Sequence, residues 1–166
     1  VSAAAPGGAV RPARPGDVPA LLAMVRELAA YERAAHEVVA DEPALAAALF
    51  GEQPAVFAHV VEGPDGAPAG FALWYVTFST WLGRHGLWLE DLYVRPEHRG
   101  RGYGRALLGT LARVCVERGY GRLEWWVLDW NAPALGFYRA LGAVPQDDWT
   151  VQRVDGGALR RLAGGA

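Results

Sequence analysis

Lysine and isoleucine are absent from this chain, and cysteine and methionine each occur once in its 166 residues. A single cysteine, Cys115, excludes an intramolecular disulfide. His36, His59, His85 and His98 show no metal-ligand spacing and no Cys-x-x-Cys pair exists, so no metal is expected. All 16 basic residues are arginines, against 18 acidic ones. The resulting net charge of −2 leaves no electrostatic footprint for nucleic acid. No apolar run approaches the roughly 20 residues that span a bilayer, so no membrane partner is expected. The first residues also lack a positive stretch followed by an apolar run, which makes the cytoplasm the expected location. No Gly-x-Ser-x-Gly occurs, so the nucleophile elbow of an α/β hydrolase is missing.

What is present suits one ordinary domain. The apolar fraction of 52% is enough for a hydrophobic core. Residues 1–9 are small and contain Gly and Pro, which suits a flexible tail ahead of a single domain over 10–166. A short strand over Ala9–Pro12 comes first. Asp17 is then an N-cap with Pro19 behind it, and Val18, Leu21, Leu22, Val25, Leu28 and Ala29 follow at helical spacing to about Arg33. A second helix starts at Asp41. Strands over Ala55–Glu62 and Ala69–Ser79 flank the turn signal Gly63-Pro64-Asp65-Gly66. Another strand covers Leu87–Val94, and an amphipathic helix covers Gly104–Arg118 with Cys115 on its apolar face. Leu123–Leu128 reads as a strand, Asn131 as the cap of a short helix stopped by Gly142, and Thr150–Val154 as a last strand. Helices alternating with a mostly antiparallel sheet give an α/β class.

The most informative segment is Arg99-Gly100-Arg101-Gly102-Tyr103-Gly104-Arg105, placed between a strand and a helix. Closely spaced glycines let consecutive N–H groups point one way. The helix behind them adds unpaired N–H groups and a dipole that favours an anion such as pyrophosphate. Arginines add charge-assisted contacts. A P-loop needs a Lys that this chain lacks. A dinucleotide fingerprint needs Gly-x-Gly-x-x-Gly, and here Arg105 stands where its third Gly belongs. A merely Gly-rich loop is the alternative to a phosphate site.

That turn, following Leu89-Glu90-Asp91-Leu92-Tyr93-Val94, resembles the acetyl-CoA motif of the GNAT superfamily of N-acetyltransferases. Further blocks narrow the resemblance to the diamine acetyltransferases, which include spermidine/spermine and thialysine acetyltransferases. These blocks are Val10-Arg11-Pro12-Ala13, Glu27-Leu28-Ala29-Ala30-Tyr31-Glu32, Trp81-Leu82-Gly83 and Trp130-Asn131-x-Pro133 with Phe137-Tyr138. The resemblance implies a V-shaped mixed sheet flanked by helices, with acetyl-CoA between two splayed strands, Leu87–Val94 and Leu123–Leu128. It implies that Leu92, Tyr93 and Val94 pair with the pantetheine arm. It also implies cofactor contacts from Arg99, Gly100, Arg101, Gly102, Tyr103, Gly104 and Arg105, and from Asn131, Ala132, Pro133, Ala134 and Tyr138. A homodimer with the amine site near its interface is a further implication.

Acetyl transfer from a thioester to an amine requires that the ammonium lose a proton, that the oxyanion be stabilised, and that the leaving thiolate gain a proton. Glu90 is the candidate base. It lies in an otherwise apolar strand, where partial desolvation should raise its pKa. Asp91 should face the other way by strand alternation unless a bulge intervenes, and it ranks below Glu90. Tyr138 is the candidate acid by resemblance. Tyr31, Glu32, Glu90, Glu124, Trp125, Trp126 and Asp147, with Asp148 beside it, match the family's substrate-contact positions. Carboxylates and aromatic faces suit a cationic polyamine.

Two other classes compete. One is a GNAT acting on a different amine, such as an amino acid, an aminoglycoside or a protein N-terminus. The other is a catalytically silent acyl-CoA-binding module, which the pairing of Glu90 with Tyr138 disfavours.

Overall fold

The computed structural model describes residues 8–164, so most of the expected tail lies outside the described residues. The chain divides after Trp126 into two compact units.

The first unit carries a five-stranded sheet in the order β1-β2-β3-β4-β5. Its strands are β1 (Val10–Pro12), β2 (Phe57–Glu62), β3 (Pro68–Ser79), β4 (Arg84–Val94) and β5 (Leu123–Trp125). Neighbours pair antiparallel except β4 and β5, which are parallel, so the mixed, mostly antiparallel α/β class is met. Helices α1 (Val18–Tyr31), α2 (Glu42–Phe50) and α3 (Tyr103–Arg118) cover it. Leu21 and Met24 of α1 and Leu49 of α2 pack with Val60, Phe71, Leu73 and Tyr93 of the sheet. The next residue on β3, Trp74, is instead overlain by the Arg118 guanidinium of α3, 5.7 Å from the ring centre. Adjacent strand residues point to opposite faces, so α1 and α3 cover opposite sides of the sheet. Leu21 and Leu107 are fully buried, each contributing about 1.5–3 kcal/mol of apolar transfer energy. Cys115 is buried on α3, as its helical phase requires.

Four boundaries differ from expectation for physical reasons. Asp17 precedes α1 but does not cap it, because its carboxylate accepts from the Arg14 N–H at 2.7 Å and from the Arg11 guanidinium at 2.7 Å. Strand β4 begins at Arg84 and not Leu87, because Ser79 pairs with Arg84 across a tight turn in which Gly83 takes φ 60°. Strand β5 stops at Trp125 and not Leu128, because its partner β4 bulges just beyond Leu89 and the ladder loses its register.

The second unit holds α4 (Ala132–Ala140) and α5 (Gly156–Leu162). Asn131 caps α4 as expected, its side-chain oxygen accepting from the Ala134 N–H at 3.3 Å. Gly142 ends the helix with φ 87°. The fourth difference lies here. Thr150–Val154 forms no strand, since a strand needs a ladder partner and a face to bury, and Val151 and Val154 are exposed.

Candidate active site

Two features of the first unit bear on the expected chemistry: a glycine-rich turn at a helix N-terminus and a carboxylate-lined cavity. The turn follows β4. Gly100 and Gly102 take φ 74° and 81°, the left-handed region where a side chain would be strained. Gly102 is the N-cap of α3, and the helix's own ladder starts with the Ala106 N–H on the Gly102 carbonyl at 2.9 Å. The N–H groups of Tyr103, Gly104 and Arg105 therefore precede that ladder and suit an anion at the dipole's positive end. Arg101 and Arg105 are exposed beside them. The Tyr103 ring is buried and stacks on His98 at 6.1 Å, which leaves its backbone N–H as its contribution to the turn.

Arg99 is committed elsewhere. Its Nε donates to the Val94 carbonyl at 2.9 Å, and its guanidinium lies 5.6 Å from both the Tyr31 and Tyr93 ring centres. Nearby, the Arg95 N–H donates to the Ala69 carbonyl on β3 at 3.0 Å. By antiparallel alternation, Val94 and Leu92 then turn their N–H and C=O groups to the other edge of β4. The β5 ladder on that edge ends at Leu89, so an extended amide chain has backbone groups to pair with at Leu92 and Val94. Tyr93 has the opposite phase, and its ring belongs to the α1-facing core.

The carboxylates are arranged by a bulge. Leu73 pairs with Asp91 but its neighbour Trp74 pairs with Leu89, so Glu90 is an extra residue in β4. The bulge resets the alternation, and Glu90 and Asp91 line the same cavity, of about 340 Å³. Val25, Leu28 and Ala29 of α1 form an apolar wall, with Ala34 and Val38 beyond the helix end. Glu32 and Glu37 add two more carboxylates. The cavity's lip depends on how α1 ends. Arg33 takes φ 63°, the one left-handed non-glycine among the described residues. The Ala34 N–H then returns to the Ala29 carbonyl at 2.8 Å and the Arg33 N–H to Ala30 at 3.1 Å, a Schellman closure. Holding a β-carbon there costs about 1–2 kcal/mol.

Burial falls on a different carboxylate from the one expected. Glu90 is exposed and accepts from the Trp88 indole N–H at 3.1 Å. Asp91 is the withdrawn one, and its pKa is pushed up to about 6 by desolvation first, then by the negative charges of Glu90 and Glu32. Desolvation also raises Glu32. A larger hollow of about 390 Å³ between Pro15–Gly16 and Pro43 has Glu42 as its one ionisable lining residue, and no other group there can move a proton.

The other expected substrate residues are dispersed. Tyr31 carries the Arg99 contact at the end of α1. Glu124 pairs with Arg122 at 2.7 Å on β5, outside the cavity lining. The exposed Trp126 meets Trp88 edge-on at 5.0 Å. Trp125 is half-buried on β5. In the second unit, Asn131, Ala132, Pro133 and Ala134 form the start of α4, and the Tyr138 ring lies 5.4 Å from that of Phe137. Asp147 and Asp148 are exposed in the connection before α5. Sequence reasoning missed Glu37 as a lining residue, since it sits in an Ala-rich stretch without periodicity, and it set Asp91 opposite Glu90 because a bulge leaves no mark in composition.

The family model for the acetyltransferase (GNAT) family matches residues 21–143. The thialysine N-epsilon-acetyltransferase of Bos taurus is 40% identical, with 93% of this chain and 96% of that protein covered. The L-ornithine N5-acetyltransferase of Arabidopsis thaliana is 30% identical, with coverage of 92% and 86%. Among solved structures, an integron cassette protein from V. cholerae superposes with a TM-score of 0.77 at 26% identity, covering 93% of this chain and 96% of the other. With this match over most of its length, the chain belongs to the GNAT family and is an N-acetyltransferase.

Proposed function

We propose that the chain moves an acetyl group from acetyl-CoA to a terminal primary amine of a small molecule carrying more than one cationic or polar group, of the thialysine, ornithine or polyamine kind. The observation that carries this is the cavity in which Glu32, Glu37, Glu90 and Asp91 converge against an apolar wall. Four carboxylates attract ammonium groups, and the apolar wall suits the methylene chain between them. The names of the thialysine- and ornithine-acetylating relatives support the same class.

Acetyl-CoA, when bound, supplies the activated acetyl thioester. The residues suited to hold it are Gly100, Arg101, Gly102, Tyr103, Gly104 and Arg105 at the turn and Leu92 and Val94 along the β4 edge. Asn131 to Ala134 and Tyr138 join them by family resemblance. The Glu90–Asp91 pair faces the incoming amine, and Tyr138 gives its phenolic proton to the departing sulfur. The family match crosses the division after Trp126, which supports residues 10–166 acting as one domain. A homodimer working in the cytoplasm completes the proposal. No helix among the described residues is long and apolar enough to cross a membrane.

The test is thiol release from acetyl-CoA with thialysine, ornithine and spermidine, and with butylamine as a single-cation control. Turnover with one of the first three, well above butylamine, is the expected result. Gly102→Asp places a negative side chain in the turn and should abolish both acetyl-CoA binding by calorimetry and turnover. Thiol release with none of the amines contradicts the proposal.

A further inference from the structure

We propose that Asp91, and not Glu90, takes the proton that the substrate ammonium must lose, while Glu32, Glu37 and Glu90 hold the substrate's positive charge around it. This rests on the cavity being the amine site. The bulge at Glu90 turns both strand carboxylates into the cavity, but the two are not equivalent there. Glu90 is exposed and already accepts the Trp88 indole N–H, whereas Asp91 is the most withdrawn of the four carboxylates. Asp91 lies against α1, where Val25, Leu28 and Ala29 present no donor side chain.

The side chains that line the cavity with Asp91 are neutral or acidic. Its β3 partner is Leu73. Its own strand brings Glu90, the end of α1 brings Glu32, and the turn beyond brings Glu37, with His36 4.0 Å from that carboxylate at the outer side. Tyr75 on β3 is pushed up by desolvation and by Glu90, so its phenol stays neutral. The charges that act on Asp91 are those of Glu90 and Glu32, both of its own sign. Such a carboxylate binds a proton more readily than an exposed one while remaining largely ionised at neutral pH. A cation entering the cavity relieves the repulsion.

The ammonium gives one proton to the Asp91 carboxylate. The freed nitrogen lone pair forms a bond to the acetyl carbonyl carbon as the carbon–sulfur bond breaks. The sulfur leaves with that electron pair and receives the nitrogen's second proton, through Tyr138 in the reading above. Asp91 then releases its proton to solvent, so one proton appears per acetyl group moved.

The experiment compares pH profiles of kcat and kcat/KM for the full chain, Asp91→Asn, Asp91→Glu and Glu90→Gln, with the best amine of the panel. Loss of the proton acceptor should lower kcat by about 10²–10⁴-fold in Asp91→Asn and remove the acidic limb of the profile. Asp91→Glu should restore a limb and part of the rate, which a purely structural role does not predict. Glu90→Gln should keep the limb and act mainly on KM. Calorimetry with acetyl-CoA, expected unchanged, verifies that each variant is folded. A wild-type-like kcat and limb in Asp91→Asn, or loss of the limb in Glu90→Gln alone, overturns the proposal and leaves the proposed function standing. A wild-type chain that acetylates none of the amines overturns both.

Discussion

Asp17 and Asp91 are the same residue type, each drawn partly out of water, and the fold shifts them in opposite directions. At the start of α1, the Arg11 guanidinium lies between Asp17 at 2.7 Å and Glu62 at 2.6 Å. Hydrogen bonds from Arg11 hold the Asp17 carboxyl below the usual carboxylate range, against the upward pull of burial. At the carboxylate-lined cavity, burial acts on Asp91 with two carboxylates nearby and no arginine among the charges that act on it, and the pKa rises to about 6. The first region uses a carboxylate to tie β1, β2 and the entry to α1 together. The second leaves a carboxylate in an unfavourable place, an imbalance that the proposed cationic substrate would correct. A counter-ion, more than burial, thus separates the two carboxylates.

The largest effect on stability should come from breaking the first region. Arg11→Met leaves Asp17 and Glu62 without their cation and should destabilise the fold by about 3 kcal/mol at neutral pH. Because the folded Asp17 pKa lies below its unfolded value, its contribution is present above the unfolded pKa and fades as pH falls through the folded one. The gap between wild type and Arg11→Met in urea unfolding should therefore shrink toward pH ~3. A gap that is constant across pH shows that packing of the arginine stem, and not charge, is what was lost.

An effect of the opposite sign, at most as large, is expected at the cavity. The folded Asp91 pKa is raised, so its ionised form weakens the fold above that pKa, and the penalty disappears below the unfolded value. Asp91→Asn should gain on wild type by up to about 3 kcal/mol between pH ~4 and pH ~7, the shift of roughly two units converted at about 1.4 kcal/mol each. Slower turnover with higher stability would mark a site held in tension for function. Equal pH dependence of the two unfolding curves would place Asp91 with ordinary surface carboxylates.

Much of this was legible in the sequence where local chemistry decides the structure. The Gly100–Gly102 turn was readable because only glycine accepts the left-handed angles there at little strain. Asn131 was readable as a cap because a short oxygen-bearing side chain before a helix has few other uses, and the second helix starts near Asp41 as expected, with the Asp41 carboxylate accepting from the Ala44 N–H at 2.9 Å. Where tertiary partners decide, the sequence was silent. Asp17 looks like a cap until the Arg14 N–H and the Arg11 guanidinium, itself shared with the distant Glu62, claim it. Asp91 looks outward-facing until a single residue of mismatch with β3 turns it inward. Arg33 gives no glycine signal at all, and its left-handed angle is imposed by the closure of α1. Thr150–Val154 has strand-like composition and no ladder partner. The partners of Glu124 and Trp126, Arg122 and Trp88, likewise leave no mark in composition.

In the proposed mechanism the cavity holds one carboxylate ready to take a proton, and this carboxylate is Asp91. Carboxyl-carbon NMR titration of the full chain, with Asp91 and Asp17 assigned by their Asn variants, tests it most directly. The account predicts that Asp91 titrates near pH 6, that saturating amine lowers its midpoint, and that Asp17 titrates below the ordinary aspartate range with or without amine. An Asp91 midpoint at the ordinary aspartate value, unmoved by amine, contradicts it.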